Sequence, residues 1–129
     1  MNADERRLKL DRITERIIGC VYKVSNILGS GFFEKVYENA LTLELRNNGL
    51  KVKQQHGIQV RYDGVVVGEF AADLLVEGKI IIELKATKAL DDIHMAQCLN
   101  YLKTTDLSVC LLVNFGKPKA EIRRIVSNF

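Results

Sequence analysis

The stretch Phe70-Ala71-Ala72-Asp73-Leu74-Leu75-Val76-Glu77-Gly78-Lys79-Ile80-Ile81-Ile82-Glu83-Leu84-Lys85-Ala86 sets three charges into two apolar segments joined by a glycine turn. Ile80-Ile81-Ile82 is apolar at consecutive positions, as expected of a strand covered on both faces at the centre of a sheet. Side chains two apart on a strand share a face, so Glu83 and Lys85 stand side by side. Burying charge in so apolar a strand costs several kcal/mol per ion unless the ion is paired or binds another. Asp73 has the same problem on the preceding strand. A three-residue loop centred on Gly78 pairs position 73 with 83 and brings both carboxylates to one face. A two-residue Glu77-Gly78 turn pairs 73 with 82 and sends Glu83 to the other face. The first register is the expected one, because it lets two carboxylates share a hard cation with Lys85 one step along.

Outward from this hairpin, Val52, Ile58, Val60, Tyr62 and Val65-Val66-Val67 are strand formers divided by the turn Tyr62-Asp63-Gly64. They complete a three-stranded meander. Upstream, Leu10, Ile13, Ile17, Val21, Val24 and Leu28 recur at helical spacing and predict an amphipathic helix over roughly 5–28. Gly29-Ser30-Gly31 ends it, and a second helix is expected from about Phe32 to Asn47. Downstream, the pattern predicts a helix over about 91–103, a buried strand over 107–114 and a short strand over 121–126. The order α-α-β-β-β-α-β-β defines an α/β fold.

The 129 residues, 47% hydrophobic and 27% charged, suit one compact domain over 1–129, with 1–30 as N-terminal helix and linker and 31–129 as core. Nineteen basic against 16 acidic residues leave a net charge of +3, too balanced to identify a partner by itself. Cys20, Cys98 and Cys110 are odd in number and widely spaced, fitting neither a disulfide framework nor a zinc site. The charged N-terminus lacks the apolar stretch of a signal peptide, and no apolar run approaches the roughly 20 residues of a membrane span. A cytoplasmic protein without membrane contact is expected.

The spacing of Asp73, Glu83 and Lys85 resembles the signature of the PD-(D/E)XK nuclease superfamily. Gly31-Phe-Phe-Glu34-Lys-Val-Tyr37 is similar to the G-x-x-E-x-x-Y motif that names one family of small proteins within it. Glu38-Asn-Ala-Leu41, Gln97-Cys-Leu-Asn-Tyr101-Leu and Leu111-Leu-Val-Asn114-Phe-Gly116 also look like that family, so the resemblance runs from about residue 10 to the C-terminus. It implies a restriction-endonuclease-like α-β-β-β-α-β core, extended here by the N-terminal helix and the short C-terminal strand. It further implies Asp73, Glu83 and Lys85 as the active-site trio, with Glu34 reaching toward the metal from the second helix. Q-x-x-x-Y, here Gln97 and Tyr101, resembles the helix after the catalytic lysine in RecB-like nucleases, where such residues position the strand or the site.

The activity so implied is hydrolysis of DNA, with RNA the second choice, using Mg²⁺ or Mn²⁺ held by Asp73, Glu83 and Glu34. A homodimer is the assembly such a small domain suggests. The rival reading is a nucleic-acid-binding or protein-interaction module that keeps the fold without the chemistry. For the trio itself, the plainer reading is an ordinary Glu83–Lys85 ion pair with Asp73 capping a bulge. Glu34 and Glu38 read otherwise as solvated helix charges, and Gln97 and Tyr101 as packing against the sheet. His94 and His56 read best as a surface residue and an edge-strand residue. Arg6, Arg7, Lys9, Arg12, Arg16, Lys117, Lys119, Arg123 and Arg124 read best as solvated faces rather than phosphate contacts.

Overall fold

The computed structural model describes residues 1–127. Two helices come first, α1 (Ala3–Leu28) and α2 (Glu34–Asn47), followed by β1 (Val52–Tyr62), β2 (Val65–Val76) and β3 (Ile80–Lys85). The chain then crosses through α3 (Asp92–Thr105) to β4 (Val109–Asn114) and ends in β5 (Glu121–Val126). The strands form one mixed sheet in the order β1-β2-β3-β4-β5, with β3 and β4 parallel and the other pairs antiparallel. The order of elements is the one read from periodicity.

Two of the expected boundaries move, for local reasons. The second helix begins at Glu34 rather than Phe32, because Gly29 and Gly31 hold positive φ (68° and 114°) and Phe33 remains extended. The α3 helix runs to Thr105, where Asp106 takes a left-handed conformation (φ 59°), so β4 starts only at Val109.

The sheet separates two cores. On one side α1 and α2 bury Ile13, Ile17, Val21, Tyr37, Leu41 and Leu45 against Leu74, Val76, Ile80, Ile82, Leu84, Leu111 and Val113. On the other, α3 buries Cys98, Tyr101 and Leu102 against Ile58, Ala72, Ile81, Cys110 and Leu112. Strand alternation in β3 therefore sends the even positions to α1 and α2, and Ile81, Glu83 and Lys85 to the α3 side. Ile80, Ile81 and Ile82 are all fully buried, as a strand covered on both faces requires.

Tyr37 ties the second helix to the turn before it. Its hydroxyl donates to the Gly29 carbonyl (2.7 Å) and accepts the Phe32 N–H (3.2 Å), while its ring stacks on Phe115 with centroids 4.6 Å apart. Tyr37→Phe keeps the stack and strips both hydrogen bonds. It is expected to cost about 1–2 kcal/mol and lower the melting temperature by roughly 3–8 °C in a thermal melt followed by circular dichroism.

Candidate active site

The β2–β3 turn has the three-residue loop. Glu77 and Gly78 both take positive φ (55° and 65°), Lys79 N–H donates to the Val76 carbonyl (3.0 Å), and the ladder pairs Val76 with Ile80, Leu75 with Ile81 and Leu74 with Ile82. The next pair in this register is Asp73 with Glu83, and there the ladder stops. Side chains replace it: Glu83 Oε1 accepts the Asp73 N–H (3.1 Å) and Asp73 Oδ2 accepts the Leu84 N–H (2.7 Å). Each carboxylate thus satisfies a backbone donor of the opposite strand, and the two meet in the gap.

Asp73 reaches that gap where the alternation of faces in β2 breaks, with no change in its pairing register to β1. Leu74 and Val76 face α1 and α2, whereas Ala72 lies in the core under α3, so the alternation of faces breaks at Asp73. Its ladder neighbour on β1 breaks as well: Gln54 pairs with Leu74 and His56 with Ala72, while Gln55 between them is left-handed (φ 53°). A regular strand would put Asp73 on one face; at this break its carboxylate reaches across to the Leu84 N–H of β3.

The electrostatics follow from burial. Glu83 is only 4% exposed. Desolvation first, and then the charge of Asp73, push its carboxyl up to about 8; the Asp73 N–H bond and Lys85 pull the other way, and Glu34 adds a smaller upward push. Burial also raises Asp73, partly offset by the Leu84 N–H and the Gln55 amide. The Lys85 side chain makes no hydrogen bond or ion pair with any described residue, although its charge acts on both carboxylates. An ordinary Glu83–Lys85 ion pair is therefore not what the strand contains.

The other residues singled out in the sequence distribute unevenly. Gln97 Nε2 donates to the Tyr101 hydroxyl (2.9 Å), the contact that their i, i+4 spacing allows. Tyr101, pushed up to about 12 by burial and then by the Glu83 charge, sits close to the carboxylate pair. Glu34 is exposed in the first turn of α2, near enough for its charge to act on Glu83. No three His, Cys, Asp or Glu side chains among the described residues gather as a cation cage, so Glu34 does not close a ready-made donor set with Asp73 and Glu83. His94 caps its own helix: its Nδ1 accepts the Asp91 N–H (3.3 Å). His56 lies in the edge strand β1, with a buried, unpartnered Nδ1 and a pKa lowered by burial and by Lys53.

Two residues that stood in the sequence only within motifs, Glu38 read there as a solvated charge, take buried structural roles around the site. Glu38 is 4% exposed and accepts from Gln54 (2.8 Å), Gln55 (2.8 Å) and Lys35 (2.9 Å), and Gln55 reaches on to Asp73 Oδ1 (3.4 Å). The polar run Gln54-Gln55-His56-Gly57 inside a strand pattern was the only available signal for this network. The second group is Asn114, fully buried. It exchanges hydrogen bonds with Thr87 (3.0 and 2.9 Å) and accepts the Gly116 N–H (2.9 Å), clamping the chain just beyond Lys85.

The donor set fits a hard divalent cation. Two carboxylates from adjacent strands, in no ion pair with a described residue, are what Mg²⁺ or Mn²⁺ takes from a protein when water supplies its other positions. The same set lacks the nitrogen or sulfur ligands of a zinc site.

No curated protein matches the chain in sequence. Solved structures of other proteins share its fold, among them the following two. SSO0001 aligns with a TM-score of 0.54 at 19% identity over 96% of this chain, which spans 62% of that chain's length. An alkaline exonuclease from Laribacter hongkongensis aligns with a TM-score of 0.50 at 12% identity, over 89% of this chain and 82% of that one. The likeness to both is one of fold, and it matches the restriction-endonuclease-like core. The profile of one family matches residues 11–125, the span that holds the split hairpin with its two carboxylates and the neighbouring lysine, and so the chain belongs to the PD-(D/E)XK nuclease superfamily.

Proposed function

We propose that this protein is a divalent-metal-dependent nuclease that hydrolyses phosphodiester bonds of DNA. The observation that carries the reading is the reciprocal pair at the hairpin split: Asp73 and Glu83 brought together, near a Lys85 ammonium that forms no ion pair with a described residue. Asp73 and Glu83 would hold Mg²⁺ or Mn²⁺. When bound, the ion makes a coordinated water more acidic and offsets charge on the phosphate. Glu34, in the first turn of α2, would add its negative charge to the hold on the ion.

Each remaining role falls to a side chain of this protein. The Lys85 amine, unpaired, is free to donate to the scissile phosphate and to orient the attacking water. Gln97 fixes the Tyr101 hydroxyl by its hydrogen bond, and Tyr101 closes the α3 side of the site. The resemblance to the G-x-x-E-x-x-Y family gains a partial rationale: Gly31 is left-handed and Tyr37 pins the turn that leads into Glu34. A binding module without chemistry has no use for two facing carboxylates beside an unpaired lysine.

The test incubates plasmid, linear and single-stranded DNA, and RNA, with the protein in Mg²⁺, Mn²⁺ or EDTA. Cleavage should require the metal and be lost in Asp73→Ala, and calorimetry should show Mn²⁺ binding to the wild type but not to Asp73→Ala. Lys85→Ala should separate the two functions, keeping Mn²⁺ binding while cleavage falls roughly a hundredfold or more. Cleavage that survives both EDTA and Lys85→Ala would overturn the mechanism.

A further inference from the structure

Beside the carboxylate pair lies a cleft of about 810 Å³ between α3 and the β1–β2 hairpin, lined by Val60, Phe70, Ile93, Gln97, Tyr101 and Lys103 among others. Three features limit what fits it. Its walls are largely apolar and carry an aromatic pair, Phe70 and Tyr101, with ring centroids 6.0 Å apart; Phe70 is 49% exposed, so one ring is open to a partner. No described lining residue is a carboxylate, whereas Lys103 and His94 both line the cleft. Finally, the cleft adjoins the proposed site through Tyr101, which lines it and lies near enough to Glu83 and Asp73 for their charges to act on its hydroxyl. Tyr101 and Ile81 share one core cluster, and Glu83 and Lys85 follow Ile81 on the same face of β3.

We propose that this cleft receives the unstacked bases of a single nucleic-acid strand, holding their faces against Phe70 and Tyr101 while the backbone passes toward Asp73, Glu83 and Lys85. The inference rests on the nuclease reading for the direction of the strand, and on the cleft itself for the bases. Every base offers a π-face, so aromatic platforms bind single strands with little sequence preference, and a cation at the wall offsets the phosphates. A paired duplex hides those faces in its stack. The substrate class that follows is single-stranded nucleic acid, or a duplex with frayed or unpaired ends.

The test measures fluorescence anisotropy of three labelled probes with the whole chain in EDTA: a short oligo-dT, its duplex with oligo-dA, and an abasic oligomer of the same length. Oligo-dT should bind roughly tenfold or more tighter than the abasic oligomer, and tighter than the duplex. Phe70→Ala, and separately Ala96→Trp, which fills the cleft from an exposed helix position, should each weaken oligo-dT roughly tenfold and leave the abasic oligomer unchanged. Thermal melts confirm that both variants fold. Equal affinity for oligo-dT and the abasic oligomer, or variants that bind oligo-dT like the wild type, would overturn the cleft assignment. So would sedimentation showing that Ala96→Trp converts a dimer to a monomer, since the cleft would then hold a second copy of the chain. Base-dependent binding without any metal-dependent cleavage would instead sink the nuclease reading and leave the cleft standing.

Discussion

Replacing Glu83 by Gln is expected to abolish cleavage and stabilise the metal-free protein at the same time. The loss follows from removing half of the charge that holds the cation, and should be roughly a thousandfold or more in rate. The gain follows from burial. Glu83 is titrated near pH 8 in the fold against 4.5 ordinarily, so the native state holds its proton more tightly than the unfolded chain does. As pH rises above about 4.5 the unfolded carboxyl ionises first, and native stability drains away until about pH 8. A glutamine keeps an acceptor for the Asp73 N–H and has no proton to lose. The variant should therefore exceed the wild type by on the order of 2–4 kcal/mol above pH 8 and by little near pH 4.5. Chemical denaturation in EDTA across that range reads the difference. A variant no more stable than the wild type at high pH would show that the site stores no such penalty. The trade of stability for a charged, poised site is common at functional centres.

Gly116→Ala should cost about 3–5 kcal/mol and lower the melting temperature by roughly 10 °C or more. A methyl group at Gly116 would lie 2.2 Å from the Thr87 carbonyl oxygen and 2.4 Å from its nitrogen, both backbone atoms. Thr87 cannot retreat cheaply. Asn114 holds it by two hydrogen bonds, and the Phe115 N–H donates to the Lys85 carbonyl at 2.8 Å, so any shift pulls on the strand that carries Glu83 and Lys85. Metal-dependent cleavage is expected to fall together with stability. Gly19→Ala is the counterpart: nothing lies within 4 Å of the added carbon in the middle of α1, and the change should stabilise by roughly 0.5–1 kcal/mol. Thermal melts of the two variants side by side test whether the Gly116 requirement is steric; similar melting temperatures would refute it.

Elements that depend on neighbours in the chain were legible in the sequence. The helical spacing of Leu10, Ile13, Ile17, Val21 and Val24 is the stripe that α1 buries, and Ile80-Ile81-Ile82 is the covered central strand. Gln97 and Tyr101 meet because residues four apart on a helix are adjacent. The turn at Gly78 set the register, since Glu77 and Gly78 both adopt positive φ there and leave three residues between paired strands. Spacing of this kind is local geometry, and local geometry is written residue by residue.

Tertiary structure decided how Asp73 is aimed. Its side chain leaves the alternation of β2 at the point where Gln55, on a different strand, turns left-handed beside it and Glu38 of α2 holds the Gln55 amide. The Asn114 clamp on Thr87 likewise joins positions 27 residues apart. Such contacts arise when packing brings distant segments together and their polar groups must find partners out of water, a demand that no periodicity in the chain records.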